Sequence, residues 1–240
     1  DDDDVFLPKK TEIEVALFEQ LGAEYVLVYG SFLEQMTEKT TRTVMADTTE
    51  DFLYRFLCNE VIACSSTVMI RRSVLADAHL EFMEGLLHED ELFTPLLYAH
   101  AGRAGLMDQP FYLRRMRSDS IMTSAFGIRN VNAVFRIVQL LHAWLIDNAD
   151  NFDSRFIDAF SCNIAFLCDY VHEALRDIPP ARKDAYLESL CAQDRIDFNL
   201  FIRYGCLFAF ERLDELRSSR TYKLGRSLTA LPRALRNGQS

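Results

Sequence analysis

The chain begins with four consecutive aspartates, followed by Val5, Phe6, Leu7 and Pro8. Adjacent carboxylates repel one another unless a positive group lies nearby. Mg²⁺ and Mn²⁺ are hard ions that take oxygen ligands, and a D-x-D triplet can present one or two carboxylates to an ion that also holds a diphosphate. Taken by itself, the segment fits either such a divalent-metal site or a solvated acidic terminus.

A second acidic feature, Glu89 and Asp90, lies where a helix is predicted to begin. Acids are favoured there by the helix dipole and by the free backbone amides of the first turn. The pair therefore fits a purely structural helix start. It also fits a general base, since a carboxylate held at a helix end can take a proton from a bound hydroxyl.

Basic residues form a third cluster after a predicted strand: Arg114, Arg115 and Arg117, followed by Ser118 and Ser120. A guanidinium group matches phosphate oxygens with two parallel hydrogen bonds, so the cluster suits a phosphate-binding edge. The alternative is a solvated basic rim that pairs with the acidic remainder of the protein.

Alternating elements must position these clusters. Apolar spacing predicts helices over residues 11–21, 51–61, 71–78 and 91–101, and strands over 24–29, 64–70 and 106–116 around a turn at Pro110. Residues 34–48 are polar and Thr-rich and are expected to form a loop, residues 79–90 are expected to be irregular, and Pro95 is expected in or near the first turn of its helix. Alternation of this kind indicates an α/β layered fold.

The second half of the chain differs in character. From about residue 124 to 216 the pattern is that of amphipathic helices, with breaks near residues 147–153 and at Pro179 and Pro180. Residues 217–240 then carry six basic residues and no acid, interleaved with leucines. This tail fits a basic amphipathic segment on an anionic membrane surface, and equally a disordered solubilising tail.

Composition narrows the function classes. The net charge of −10 argues against a general nucleic-acid partner. Six cysteines without a C-x-x-C pair predict buried thiols in a reducing compartment. No phosphate-binding glycine loop, zinc-ligand spacing, signal peptide or membrane-spanning run is visible, and because the first residue is not Met we expect a processed or partial chain.

Taken in order, the three clusters resemble the family 2 glycosyltransferases, above all those of bacterial capsule, teichoic-acid and exopolysaccharide synthesis. The matching patterns are D-x-D-D-x-x-x-P at residues 1–8, (F/x)-x-E-G-L-L-x-E-D-E-L-F at 82–93, and P-x-Y-x-x-R-x-R-x-x-S-I-M-T at 110–123. An R-R-x-x-L segment at 71–75 and the tail residues 222–226 are also similar to segments of that group. The resemblance covers residues 1 to about 124.

This resemblance implies a partial GT-A fold, a mixed sheet with helices, and inversion at the anomeric carbon of a nucleotide sugar. It places a Mn²⁺ or Mg²⁺ ion on Asp1 and Asp3 and the general base at Asp90. The substrate-binding positions that it implies are Glu89, Arg115, Arg117 and Ser120. The strand–helix units that precede the D-x-D motif in the family, and that bind the base and ribose, do not precede it here, so we expect these 240 residues alone to be inactive or nearly so.

The sequence thus predicts three regions: the C-terminal portion of a GT-A catalytic domain over residues 1–123, a helical domain over 124–216, and a basic amphipathic tail over 217–240. The predicted function is transfer of a sugar from a nucleotide-sugar donor to a glycan or lipid-linked acceptor in cell-surface polysaccharide synthesis. The predicted location is the cytoplasm, peripheral to the inner face of the membrane. A non-catalytic scaffold derived from a GT-A fold is the main alternative, and a metal-dependent phosphotransferase ranks last because no phosphate loop accompanies the aspartates.

Overall fold

The computed structural model describes residues 4–34, 39–41, 49–60, 65–101, 103–115 and 126–204. The chain divides into two compact units. The first unit comprises Asp1–Phe56 and Val61–Ser124, and the second comprises Leu57–Glu60 and Ala125–Ser240.

A mixed sheet organises the first unit. Its strands are β1 (Val5–Phe6), β2 (Tyr25–Glu34), β3 (Lys39–Thr41), β4 (Val68–Ile70) and β5 (Arg103–Arg114). Among the described residues the order is β1-β5-β2-β3, and β4 also pairs with β2. The β2–β5 pair is parallel and the other pairs are antiparallel. The register of the β2–β5 pair changes where Ser31 lies opposite Pro110, because proline has no N–H to donate to the neighbouring strand.

The described residues of this unit also form the helices α1 (Lys10–Leu21), α2 (Thr49–Leu57), α3 (Arg72–Asp77) and α4 (Glu89–His100). Helix α1 ends at Gly22, whose φ of 100° suits glycine and whose N–H donates to the Phe18 carbonyl. The helix approaches the sheet closely at Gly105, where a β-carbon would lie 2.6 Å from Leu21 Cδ1. Glycine at this position is therefore what allows α1 to rest on β5.

An aromatic cluster fills the core of the first unit. The Tyr29 and Phe52 ring centroids are 5.0 Å apart, and the Tyr98 ring contacts both Phe52 at 5.7 Å and Phe56 at 4.4 Å. These rings join β2, α2 and α4. All four side chains are buried, so the cluster packs the C-terminal part of α4 against the sheet.

The second unit is helical over its described residues. Its helices are α5 (Ile128–Asn148), α6 (Ser154–Arg176), α7 (Pro180–Ser189) and α8 (Ala192–Phe198), and a π-helical segment, Asn199–Tyr204, follows. The Asn130 side chain accepts the Gly127 N–H at the start of α5, and Asp153 accepts the Phe156 N–H at the start of α6. Apolar stripes of α5 and α6 form the core, and Gln139 of α5 donates to Asp194 and Asp197 of α8.

The predicted mixed α/β class with a helical continuation is confirmed. Helices predicted over 11–21, 71–78 and 91–101 are observed within two residues at each end, and the breaks at 147–153 and Pro179 are observed. Pro95, however, lies in the second turn of α4, because that helix begins at Glu89. Residues 106–114 belong to one continuous strand, β5, and residue 116 lies outside the described residues. The expected loop over 34–48 contains β3, and Ser65–Thr67 form a 3₁₀ turn before β4.

Candidate functional site

Pairing of β1 with β5 brings Asp4 to the end of β5, next to Arg115. Val5 lies opposite Leu113 and Phe6 opposite Tyr112 in antiparallel register, so the residue before Val5 meets the residues after Leu113. Asp4 Oδ1 accepts the Arg115 N–H at 2.7 Å, and the Tyr112 hydroxyl donates to Asp4 Oδ2. One carboxylate therefore joins two segments that lie 111 positions apart in sequence.

A buried ion pair lies beside β1 in the first turn of α1. Lys10 Nζ donates to both Glu14 oxygens, at 2.7 and 2.8 Å, and lies 4.8 Å from the centroid of the Phe6 ring. Burial raises the pKa of the Glu14 carboxyl, and the hydrogen bond and charge of Lys10 act in the opposite direction. This pair was not predicted from the sequence, although its i, i+4 spacing is the signal that would have found it.

Arg71, from the R-R-x-x-L segment, has a structural position. Its Nε donates to the Tyr25 carbonyl at 2.6 Å and its Nη2 donates to the Gly22 carbonyl at 3.1 Å. The guanidinium carbon lies 4.7 Å from the centroid of the Phe18 ring. Arg71 thus ties the turn between α1 and β2 to the start of α3.

The acidic start of α4 has perturbed proton affinities. His88 precedes the helix in a left-handed conformation, with φ of 60°, and the Glu91 N–H donates to Asp90 Oδ1 at 3.1 Å. Burial and then the charge of Glu89 raise the pKa of Asp90, against smaller opposing effects of His88 and two backbone amides. A raised pKa brings the carboxyl nearer to the range in which a base works at neutral pH.

The carboxyl of Glu91 also has a raised pKa, and Glu91 was not predicted as a site residue from the sequence. Surrounding protein atoms desolvate the carboxyl group and, with the charge of Asp90, raise its pKa to about 7, while the residue as a whole is exposed at the surface. Burial lowers the pKa of the neighbouring His88, against the charges of Asp90 and Glu89. The E-D-E triplet was the available signal, but its desolvation depends on the tertiary surroundings.

The predicted site residues divide into two groups. Glu89, Asp90 and Arg115 are described, and all three lie in the first unit. Asp1, Asp3, Arg117 and Ser120 lie outside the described residues, as do residues 205–240 with the basic tail. Within the part of the chain that the structure describes, no group of three or more Asp, Glu, His or Cys side chains has the geometry of a metal site.

Comparisons with known proteins give partial matches. No protein-family model and no curated protein sequence matches the chain. A crystal structure of S. aureus TarS 1-349 in complex with UDP-GlcNAc is 16% identical, with a TM-score of 0.45 over 82% of this chain and 52% of that one. A crystal structure of S. aureus TarS is 15% identical, with a TM-score of 0.45 over 82% of this chain and 31% of that one.

A third crystal structure, of S. aureus TarS 1-349 in complex with UDP, is 15% identical, with a TM-score of 0.41 over 80% of this chain and 50% of that one. The chain therefore spans about half or less of the solved structures that it resembles. Identities and TM-scores at this level do not assign it to a family.

Proposed function

We propose that this chain is part of an inverting glycosyltransferase that moves a sugar from a nucleotide-sugar donor to a glycan or lipid-linked acceptor. One observation carries the proposal: the Asp4 carboxylate joins the D-x-D segment to the R-x-R segment through Tyr112 and the Arg115 backbone. Two of the three motif segments, distant in sequence, thus meet at one end of the β1–β5 ladder. The third segment, at the start of α4, belongs to the same unit.

The chemistry of the joined segments suits a nucleoside diphosphate. Carboxylate oxygens are the ligands that Mn²⁺ and Mg²⁺ prefer, and guanidinium groups bind phosphate oxygens. In this proposal Asp1 and Asp3 hold the metal, Arg115 and Arg117 contact the diphosphate, and Ser120 orders the intervening loop. The metal, when bound, neutralises charge that develops on the leaving phosphate.

The acidic start of α4 supplies the acceptor side of the proposal. Asp90 takes the proton from the attacking hydroxyl, and Glu89 binds the acceptor. The raised pKa of Asp90 supports this role, because a base of ordinary aspartate strength would be weak at neutral pH. The raised pKa of Glu91 makes that residue a second carboxyl suited to the same task.

A membrane surface is the proposed location of the acceptor. The basic residues and leucines of 217–240 suit an anionic bilayer, and no described helix is long and apolar enough to cross one. Co-sedimentation with anionic vesicles at low salt, compared with neutral vesicles, measures this partner. Equal recovery in the supernatant with both vesicle types would contradict it.

Isothermal titration of UDP into the chain, with Mn²⁺ and again with a chelator, tests the proposed function. We expect UDP binding that requires Mn²⁺ and that is weakened at least tenfold in Asp3→Asn. As a matched control, Asp184→Asn changes an exposed aspartate of α7 in the second unit and should leave binding unchanged. UDP binding of equal affinity with and without Mn²⁺, and in the presence and absence of the Asp3 carboxylate, would favour the non-catalytic scaffold.

A further inference from the structure

An exposed aromatic ring lies next to the acidic start of α4. The connection between α3 and α4 presents two adjacent large apolar residues to solvent: Phe82 is 47% exposed and Met83 is 41% exposed. Burying a side chain of this size contributes about 1.5–3 kcal/mol, so leaving two neighbours open forgoes a sizeable stabilisation. Both residues lie within the second matching pattern, and neither has a catalytic or binding role in the proposed function.

The Phe82 ring is supported from one side. It stacks on Phe93 of α4 with the ring centroids 4.1 Å apart and the planes 22° from parallel. Phe93 is only 5% exposed, so it forms a fixed floor beneath the outer ring. With one face packed in this way, the exposure of Phe82 belongs largely to its opposite face and edges, which form a small apolar platform.

Helix geometry places this platform beside the carboxylates. Phe93 follows Glu89 by four positions and Asp90 by three, and residues at these spacings are neighbours on one face of a helix. A helical side chain also leans over the preceding turn, so the Phe93 ring extends toward Glu89 and Asp90. Phe82, stacked on Phe93, therefore lies over the same face of α4.

Backbone hydrogen bonds hold the platform in place without a ligand. The Leu80 N–H donates to the Leu75 carbonyl at 2.9 Å, before Phe82, and the Leu86 N–H donates to the Met83 carbonyl at 3.3 Å, after it. Gly85 has φ of 76° within that second turn, a conformation that favours glycine. The connection is thus shaped by its own backbone, as a preformed binding surface requires.

The charge around the platform limits what can bind there. Residues 80–91 contain five carboxylates and no Lys or Arg. Phosphate groups, nucleotides and anionic lipids are repelled by such a surface. An uncharged ring with an apolar C–H face and several hydroxyl groups suits it, because its hydroxyls donate to carboxylates while its C–H face packs on Phe82.

We propose that Phe82 and Met83 form the platform for a neutral pyranose ring of the acceptor, whose hydroxyls donate to Glu89 and Asp90. This inference rests on the proposed function and specifies it further. The acceptor group next to the proposed general base, Asp90, is an uncharged sugar, and any phosphate of a lipid-linked acceptor lies elsewhere. Two elements thus share acceptor binding, the 80–88 connection by apolar contact and α4 by hydrogen bonding.

Methyl-¹³C-methionine NMR of the 240-residue chain tests the platform, with the Met83 signal identified by its loss in Met83→Leu. The probes are methyl glucopyranoside, methyl galactopyranoside and methyl N-acetylglucosaminide, and glycerol phosphate is the anionic comparison. We expect a saturable shift of the Met83 methyl signal with at least one pyranoside and none with glycerol phosphate. No shift with any pyranoside, or an equal shift with glycerol phosphate, would overturn the inference.

Substitutions at the ring sharpen this test. Phe82→Ala should weaken pyranoside binding at least fivefold, whereas Phe82→Tyr keeps the ring and should retain binding. Ile146→Ala, which truncates an exposed apolar residue of α5 in the second unit, should also retain binding. Far-UV circular dichroism checks that each variant is folded, and unchanged binding in a folded Phe82→Ala would contradict the platform.

Failure of this inference is separable from failure of the proposed function. Mn²⁺-dependent UDP binding without any shift of the Met83 methyl signal would support the proposed transferase and contradict the neutral-sugar platform. Pyranoside binding without UDP binding would support the platform and would favour a sugar-binding module over a transferase.

Discussion

Asp4 and Arg115 are joined by a hydrogen bond from the Arg115 backbone N–H to Asp4 Oδ1, with 2.7 Å between the two atoms. Strand pairing sets up this contact, because β1 and β5 run antiparallel with Phe6 opposite Tyr112. The second Asp4 oxygen accepts the Tyr112 hydroxyl, so both carboxylate oxygens are engaged by β5 and the residue after it. Asp4 is therefore an organising residue of the joined segments, distinct from the proposed metal ligands Asp1 and Asp3.

Removing the Asp4 carboxylate should loosen this junction. Asp4→Ala is expected to lower the free energy of unfolding by about 1–2 kcal/mol, since two hydrogen bonds to a charged acceptor are lost at a partly exposed position. Urea denaturation measures the change. Asp184→Ala, at an exposed position of α7, serves as the control and should change stability by less than about 0.5 kcal/mol. Equal stabilities of Asp4→Ala and the unmodified chain would show that the junction contributes nothing.

The Lys10–Glu14 pair should behave as a buried unit. Lys10→Met alone leaves the fully buried Glu14 carboxyl without its partner and is expected to cost about 3–5 kcal/mol at neutral pH. Replacing both, in Lys10→Met with Glu14→Leu, should recover most of that loss, because no buried charge remains. Thermal denaturation compares the variants, with the exposed neighbour variant Lys9→Met as the control. A double variant no more stable than Lys10→Met would contradict this description.

Gly85 should be needed for its backbone conformation. A β-carbon at Gly85 would meet nothing within 4 Å, so Gly85→Ala tests the φ of 76° apart from crowding. We expect a loss of about 1–2 kcal/mol, the cost of the left-handed region for a residue with a β-carbon. Gly127→Ala is the matched control, because Gly127 has equal space and a φ of −118° that other residues adopt. Equal losses of stability in the two variants would show that the left-handed φ of Gly85 is not the cause of the loss.

The raised pKa of Glu91 predicts a specific pH dependence. Its carboxyl titrates near 4.5 without the fold and at about 7 within it, so the folded state binds more protons between these values. The contribution of this group to the free energy of unfolding is therefore fully present below about pH 4.5 and is lost as the pH rises to about 7. Glu91→Gln should remove that decline and raise the melting temperature at about pH 8 more than at about pH 4.

Glu188→Gln, at an exposed position of α7, is the control for this titration. It should alter the melting temperature by a similar small amount at both pH values. A Glu91→Gln variant whose melting temperature follows that of the unmodified chain across the whole range would show that the Glu91 carboxyl titrates alike in the folded and unfolded states.

Local sequence signals located most helices but few of the short strands. Gly22 and Pro180 mark helix ends by backbone chemistry alone, so α1 and α7 could be predicted from neighbouring residues. The two residues of β1 and the three of β3 are too short for an alternating pattern, and β3 is polar. These strands exist because longer partners, β5 and β2, supply the hydrogen bonds.

The candidate site was predictable in its residue types and only partly in its geometry. Motif order grouped the aspartates, the E-D pair and the arginines, and the Asp4–Arg115 contact now joins two of these segments. The roles of Asp1, Asp3, Arg117 and Ser120 stay predictions. Nothing in the local sequence separates the proton affinity of Glu91 from that of Asp90, because the difference arises from desolvation by surrounding parts of the fold.

The central claim, that the aspartates and arginines form one metal–diphosphate site, is tested most directly by electron paramagnetic resonance of Mn²⁺. Free Mn²⁺ gives a strong signal that weakens on binding, so titration of the chain measures Mn²⁺ affinity with and without UDP. Since coupling between two ligands is reciprocal, UDP should tighten Mn²⁺ binding by the same factor by which Mn²⁺ tightens UDP binding. We expect such coupling in the unmodified chain, and its loss both in the double variant Asp1→Asn with Asp3→Asn and in Arg117→Ala. Mn²⁺ affinity that is indifferent to UDP, or to these substitutions, would contradict it.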